Sequence, residues 1–305
     1  MYWRAYAGAR AFKKTAALKG RTQEIVQQYK DEFPVRTLAS VLGLSRQRIY
    51  ALKNTKDLEM KKEEKKEKDG EALKVITELV KQYPFYGYRK ITAILQYQRG
   101  LQINRKRVYR IMKENRLVMA PSHSNKRLFR GVAFGHNLEA TRPTELWGID
   151  MTYIWCGEDG WAYLHAVIDH YDKTLLGYQF SQSCSALGGV IALAEAASQR
   201  QIESLELRSD NGCHYGAKIF RDEIRRLGIN HTRTMVNTPK GNAVVERFFR
   251  SLKEECVWQQ SFKNFAEAKP KVDAWIKQYN EDRPHQTLGY ETPQRFYQRS
   301  LRSAA

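Results

Sequence analysis

The sequence predicts a protein in two parts, an all-α first half followed by an α/β second half built on a mixed five-stranded sheet. Apolar residues recur at helical spacing through residues 21–118, whereas strand-like and helix-like segments alternate from residue 145 onward. Charge is divided in the same way: the chain carries a net charge of +19, and residues 1–142 hold 32 Lys and Arg against 13 Asp and Glu. A basic region joined to a neutral domain favours a polyanion-binding region attached to a separate functional domain. The alternative is a highly charged surface that only keeps the protein soluble.

The first module, over residues 1–60, has the pattern of a helix-turn-helix. Apolar side chains repeat through PVRTLASVLGL, Gly43 permits a tight turn, and Ser45 can cap the helix that follows. Three side chains at the start of that helix suit phosphates and base edges in the major groove of DNA: Arg46, Gln47 and Arg48. The alternative is a helical hairpin that does not touch DNA.

A second helical module is predicted over residues 61–120. The mixed charge run of residues 56–69 leads into it, either as a solvated helix or as a flexible linker. EALKVITELVKQY then forms an amphipathic helix, and Asn104 can cap a basic helix after a turn. That basic helix supplies further candidate DNA contacts: Arg105, Lys106, Arg107 and Arg110. A structural three-helix bundle with a positive surface is the alternative, and residues 121–143 are typical of a linker.

Residues 144–258 are predicted to form the α/β domain. Apolar and polar residues alternate in ELWGIDMTYIW, residues 145–155, which is typical of a strand. Further elements follow in the order strand, strand, helix, strand, helix, strand, helix: residues 161–168, 174–180, 185–200, 204–210, 217–228, 229–235 and 241–258. This order predicts a mixed sheet with helices on its faces. Residues 259–305 are expected to form a helical C-terminal extension.

Three carboxylates in this domain stand out by their positions. Asp150 lies in the middle of a predicted strand, where aspartate is disfavoured and burial of its charge is costly. Asp210 ends another predicted strand, and Glu246 borders the apolar stripe of the last helix of the domain. Arg250 and Lys253 follow Glu246 on the same helical face.

Clustered carboxylates repel one another, and a divalent cation between them would relieve that repulsion. Ligands that are all oxygen favour Mg²⁺, with Mn²⁺ as a possible substitute. Two such ions would promote a phosphoryl transfer, because one would activate the attacking oxygen and the other would stabilise the leaving oxygen. The sequence therefore predicts that Asp150, Asp210 and Glu246 are both metal ligands and catalytic residues.

The spacing of these carboxylates carries a resemblance. Between Asp150 and Asp210 lie 59 residues, between Asp210 and Glu246 lie 35, and Lys253 follows seven positions after the Glu. This pattern, with the words WGIDMTYI, RSDNG and GNAVVERFFRSLKEE, resembles the DDE signature of bacterial transposases and retroviral integrases. YNEDRPHQTLGYETP, residues 279–293, resembles the tail of the insertion-sequence-three family in its second-reading-frame product. YGYRKI and RVYRIMKENRL resemble the helical domain that precedes the family's core.

The resemblance implies an RNase H-like integrase catalytic core and a transposase that cuts one DNA strand and joins its 3′-hydroxyl to a target strand. It implies terminal inverted repeats and target DNA as double-stranded partners, and a homo-oligomer that acts on paired ends. Fusion to, or cooperation with, an upstream reading-frame product is a further expectation. One departure from the family is Gly241, in the sequence Gly-Asn-Ala, where Asp is common.

Several side chains near these motifs keep two interpretations. Asn242 could contact the scissile phosphate or only cap the helix that it begins. Lys253 and Arg250 could hold phosphates or form a solvated stripe, and family position favours the first role for Lys253. For His285, in RPHQTLGY, a structural hydrogen bond is favoured over catalysis.

Two other functional classes stay open: a sequence-specific DNA-binding regulator with a vestigial catalytic core, and a non-specific RNase H-like nuclease. The four cysteines lack C-x-x-C pairing, which argues against a zinc finger or a disulfide framework and fits a reducing compartment. The chain shows neither an apolar run long enough for a membrane span nor a secretory signal, so no membrane partner is expected. We expect a cytoplasmic protein associated with the bacterial nucleoid.

Overall fold

The computed structural model describes residues 18–53, 55–119, 140–233 and 242–304. Most of the predicted linker and Gly241 therefore lie outside the described residues. The chain divides into two compact units, Met1–Glu78 and Leu79–Ala305. Within the described ranges, no helix is long and apolar enough to cross a bilayer.

The first unit contains the predicted helix-turn-helix. Helices α1 (Leu18–Tyr29), α2 (Val35–Leu42) and α3 (Arg46–Lys53) surround a small core, formed by Val26, Leu38, Ala39 and Ile49. Gly43 ends α2 in the left-handed region at φ 66°, which favours glycine. Ser45 caps α3, because its Oγ accepts a hydrogen bond from the Arg48 amide at 3.2 Å.

The mixed charge run is helical and solvated, as the first of its two interpretations predicted. It belongs to α4 (Thr55–Gln82), which continues without a break into the amphipathic segment. Side chains 63–67 are exposed, whereas Ile76 and Leu79 are buried. The apolar face of α4 is therefore confined to its last turns.

The helices that follow are α5 (Tyr88–Tyr97) and α6 (Arg105–Glu114), which pack against each other. The rings of Tyr88 and Tyr109 lie 4.8 Å apart, and Gln96 Nε2 donates to the Ile103 carbonyl at 2.8 Å. Asn104 caps α6 as predicted, since its Oδ1 accepts from the Lys106 amide at 2.8 Å. The pair thus holds its basic residues on a fixed scaffold.

The second unit is built on a mixed five-stranded sheet, as predicted. Its strands are β1 (Leu146–Trp155), β2 (Trp161–Asp169), β3 (Leu175–Ser181), β4 (Glu206–Ser209) and β5 (Asn230–Arg233). They lie in the order β3-β2-β1-β4-β5. β1 runs antiparallel to β2 over its whole length, but parallel to β4 only at residues 146–148. Beyond that point one edge of β1 is not paired with β4.

Helices cover both faces of the sheet: α7 (Ala186–Gln199), α8 (Cys213–Gly216), α9 (Lys218–Arg226), α10 (Ala243–Glu255), α11 (Phe265–Glu281) and α12 (Pro293–Ala304). Short 3₁₀ turns lie at Gly157–Asp159, Val257–Gln259 and Gln286–Leu288. Side chains of β1 alternate between two cores. Ile154 packs with Phe248 and the rest of the α10 and α11 layer. Ile149 packs with Phe220 and the α7 and α9 layer.

Candidate active site

Asp150 lies on β1 just beyond the point where the pairing with β4 ends. Its side chain is half-buried, and its Oδ1 accepts from the Met151 amide at 2.7 Å. Burial and, to a smaller extent, the charges of Asp210 and Glu246 raise the pKa of Asp150 to about 7, against the lowering effect of the Met151 hydrogen bond. The three carboxylates predicted from the sequence are therefore close enough to interact electrostatically.

Asp210 follows β4 directly. The parallel register that pairs Gly148 with Arg208, carried two residues further, places Asp210 level with Asp150 on the neighbouring strand. Asp210 Oδ1 accepts from the Gly212 amide at 2.9 Å, which ties the carboxylate to the turn after the strand. Because that amide stabilises a charged carboxylate, Asp210 suits a ligand role.

Glu246 lies in the first turn of α10 and is exposed. The helix docks through the apolar stripe that the sequence predicted: Val245, Phe248, Phe249 and Leu252. Glu246 is one step around from this stripe. It projects from the helix that covers the Asp150 face of the sheet, and its negative charge acts on Asp150.

The carboxylates do not form a closed metal site as they stand. Across the described ranges, no three His, Cys, Asp or Glu side chains are spaced closely enough to hold an ion. The chemistry of the donor set nevertheless fits a hard divalent cation, because every donor is a carboxylate oxygen. The raised pKa of Asp150 points the same way, since its charge has negative neighbours and a cation would reverse their effect. Asp150, Asp210 and Glu246 are the residues that could hold the metal.

Asn242 makes a contact that neither of its two predicted roles includes. It is buried and does not cap α10 with its side chain. Instead, its Nδ2 donates to the Ile149 carbonyl at 3.0 Å, next to Asp150. A Cβ on Gly148 would lie 2.6 Å from Asn242 Oδ1 and from Val245, so glycine at this position permits the contact. The structure thus shows Asn242 joining the start of α10 to β1, and its predicted contact with DNA stays a prediction.

The two cations of α10 that were predicted to contact DNA differ in their surroundings. Arg250 is exposed and pairs with Glu254 at 2.7 Å. Lys253 is half-buried, with its Nζ 5.0 Å from the centre of the Tyr153 ring, and burial lowers its pKa. Tyr153 lies three residues after Asp150 on β1, so Lys253 is held beside the strand that carries the first carboxylate.

The predicted DNA-contact residues of the two helical modules are exposed to different extents. Arg46, Gln47 and Arg48 are exposed at the start of α3. On α6, Arg105 and Lys106 are exposed, whereas Arg107 and Arg110 are half-buried. Arg110 pairs with Glu114 at 3.2 Å. All of these residues lie on the first turn of their helix except Arg110, which lies on the second turn of α6.

Sequence reasoning missed one residue near the carboxylates. Tyr215 is buried, and burial together with the charges of Asp150 and Asp210 raises its pKa well above the ordinary value. Its hydroxyl lies 3.3 Å from Nδ1 of His165, a buried residue of β2. The segment SDNGCHY places Tyr215 five residues after Asp210, which was the available signal for it.

Family models place the chain in a class of protein, the DNA-acting polynucleotidyl transferases with an integrase core. The integrase core domain family matches residues 140–239 and again residues 227–293. The HTH-like domain family matches residues 66–124.

Relatives identify the particular family. InsK, assigned as the transposase of insertion sequence element IS150 in Escherichia coli strain K12, is 30% identical over 68% of this chain and 76% of the relative. The transposase of insertion sequence element IS904 from Lactococcus lactis is 28% identical over 69% of this chain and 87% of the relative. The chain belongs to the insertion-sequence-three family of DDE transposases, which act on DNA.

A solved structure shows a slighter likeness. The catalytic core domain of BIV integrase is 22% identical and covers 53% of this chain and 98% of its own, with a TM-score of 0.41. The family matches confirm the resemblance that the carboxylate spacing predicted.

Proposed function

We propose that the protein cuts DNA at the terminal inverted repeats of an insertion sequence and joins the freed 3′-hydroxyl to target DNA, with Asp150, Asp210 and Glu246 as catalytic residues. The observation that carries this proposal is the placement of half-buried Asp150 near Asp210 and Glu246, whose charges add to the effect of burial in raising its pKa to about 7. A structural carboxylate would be expected beside a cation of the protein itself. Asp150 instead has two carboxylates around it.

These three side chains would hold two Mg²⁺ ions, with Mn²⁺ able to substitute. Bound there, the ions would stabilise charge on the phosphate and lower the pKa of an attacking water. In hydrolysis, the water oxygen bonds to phosphorus and the bond to the 3′-oxygen breaks, leaving a 3′-hydroxyl. In transfer, that hydroxyl attacks a target phosphate in the same manner, and no covalent bond to the protein forms.

Other residues of the chain would position the DNA. Lys253, beside β1, would neutralise a phosphate next to the carboxylates, with Arg250 and Asn242 near it on the same helix. The basic side chains at the starts of α3 and α6 would bind the duplex through phosphates and base edges. Because transposition joins two ends, a homo-oligomer acting at the bacterial nucleoid is part of the proposal. Cooperation with an upstream reading-frame product rests on the resemblance alone.

The test is a strand-transfer assay with the purified full chain, Mg²⁺ and a duplex that carries the element's end sequence. Asp150→Asn keeps the size of the side chain but removes its charge, and it should abolish cleavage and joining. The matched control is Asp222→Asn, which alters an exposed aspartate paired with Arg225 on α9 and should leave both steps unchanged. Wild-type activity in Asp150→Asn would remove this residue from the mechanism. Protection of the end sequence without any nicking by the wild-type chain would favour the DNA-binding regulator.

A further inference from the structure

A buried cluster of charges joins three parts of the second unit. Glu255, the last residue of α10, accepts two hydrogen bonds from Arg283, Nε to Oε2 at 2.9 Å and Nη2 to Oε1 at 2.7 Å. Lys90 of α5 reaches the same carboxylate, with its Nζ 3.0 Å from Oε1. The exposed fraction of these side chains is 9% for Glu255, 7% for Arg283 and 23% for Lys90. The cluster therefore connects α5, the end of α10 and the segment that follows α11.

The surroundings of this cluster leave it little freedom. Arg283 Nη2 also donates to Ser251 Oγ at 3.1 Å, and Arg283 Nη1 lies 3.3 Å from His285 Nε2. Burial, together with Arg283 and other nearby cations, holds the pKa of His285 well below its ordinary value, so its neutral ring can accept this hydrogen bond. Lys90 Nζ lies 4.4 Å from the centre of the Tyr86 ring. His285 thus has a structural partner, as favoured from the sequence.

The presence of Lys90 in this cluster needs a reason beyond stability. Burial lowers the pKa of Lys90 to about 8, which shows that its charge is penalised at this position. An apolar side chain of similar length would pack α5 against α10 without that penalty. A buried ion pair, unlike apolar packing, specifies one register between the elements that it joins. Lys90 therefore favours a single placement of α5 on α10.

The two helices joined in this way carry different parts of the proposed reaction. α5 packs on α6, which bears Arg105, Lys106 and further candidate DNA contacts. α10 bears Glu246, nine residues before Glu255, a separation of about 14 Å along a helix that rises about 1.5 Å per residue. A shift at the ion cluster would change the distance between the DNA held by α6 and the carboxylates.

We propose that Lys90 is a positioning residue, which through Glu255 sets the phosphodiester bond that the core cuts relative to the end sequence bound by α6. This inference rests on the proposed function. Lys90 does not touch the reacting atoms. Its contribution is to the accuracy of the cut, since a small displacement of a scissile phosphate from its catalytic groups lowers the rate steeply.

The experiment maps the cut on an end-labelled duplex that carries the terminal inverted repeat. The full-length chain is compared with Lys90→Met, which keeps the length of the side chain and leaves the Glu255–Arg283 pair in place. We expect wild type to cut one bond. Lys90→Met should lose roughly tenfold in rate at that bond and gain cuts at neighbouring bonds. Lys90→Arg should restore the single cut, and Lys277→Met, at an exposed lysine of α11, is the matched control.

The position of the cut separates positioning from stability, because partial unfolding lowers the amount of product without moving it. Circular dichroism checks that each variant is folded, and Lys90→Gln replaces Lys90→Met should the latter fail that check. Cutting by the folded variant at the wild-type bond alone, at whatever rate, would overturn the inference. Absence of any cut by the wild-type chain would instead overturn the proposed function, and this inference with it.

Discussion

Asp150 and Glu255 are both carboxylates withdrawn from solvent in the same unit, yet their surroundings are opposite. Asp150 is flanked by two carboxylates, and its pKa is raised to about 7. Glu255 lies between Arg283 and Lys90, which outweigh the effect of burial and lower its pKa. The difference indicates two uses of a buried charge. The charge of Glu255 is compensated within the chain, whereas that of Asp150 would be compensated by the metal ion of the proposed function.

The largest expected effect comes from replacing one of the three candidate catalytic carboxylates. Glu246→Gln removes one negative oxygen ligand and should lower the rate of strand cleavage on the order of a thousandfold, measured in single-turnover assays with Mg²⁺. Glu254→Gln on the same helix is the control, since Glu254 pairs only with exposed Arg250 among the described contacts. Equal activity of the two variants would remove Glu246 from the site.

Replacement of Glu255, whose charge is compensated by Arg283 and Lys90, should instead lower stability. Glu255→Gln leaves Arg283 and Lys90 buried without their anion, and breaking a buried pair in this way costs about 3 kcal/mol or more of unfolding free energy. Urea denaturation followed by circular dichroism measures this loss. A midpoint unchanged from wild type would show that the cluster contributes little. Glu291→Gln, which removes a more exposed pair with Arg299, should cost far less.

Removal of the charge at Asp150 should instead raise the free energy of unfolding of the chain in the absence of metal. The unfolded carboxyl titrates near 3.8 and the folded one near 7, so the folded state binds the proton more tightly. The stabilisation from protonated Asp150 is full below about pH 4 and is lost as pH rises to about 7. Above that pH, Asp150→Asn should be more stable than wild type by about 1 kcal/mol, a figure reduced for partial exposure.

Urea midpoints at pH 5 and pH 8 in a chelator would measure this difference. Mg²⁺ should then stabilise wild type but not Asp150→Asn, because binding to the folded state alone raises the midpoint. A wild-type midpoint that stays the same between the two pH values would contradict the raised pKa of Asp150.

The smallest effect concerns the DNA-contact residues. Arg48→Ala and Arg105→Ala should each lower the slope of log binding constant against log salt by about 0.9, if each side chain neutralises one phosphate. Filter binding across a salt series measures the slope. Arg225→Ala, at an exposed residue of α9, should leave it unchanged. A slope that neither α3 nor α6 affects would place the phosphate contacts elsewhere.

Local patterns in the sequence predicted most of this fold. β1 follows from strict alternation, and the apolar stripe of α10 follows from helical spacing, since each pattern extends over ten residues or more. α8 was not predicted, because four residues are too few to show a period. The strand predicted to end at Asp210 ends at Ser209, which leaves the carboxylate in the turn.

The three carboxylates were predicted from their spacing and from the family resemblance, whereas several contacts around the candidate site were not predicted. The contact of Lys90 with Glu255 spans 165 residues, and no periodic pattern encodes such a pairing. Asn242 was expected to cap a helix or contact DNA, and its hydrogen bond to β1 depends on how closely α10 packs over Gly148. These contacts are set by tertiary packing.

β1 combines two environments along its length, since it is paired on both edges at Gly148 but is no longer paired with β4 two residues later. Asp150 lies just beyond the point where that pairing ends. Successive side chains of a strand point to opposite faces, so gaining or losing one residue just before Asp150 would turn the carboxylate away from α10. Such a length change should abolish the proposed activity, because Asp150 would no longer face α10 although every acidic group is still present.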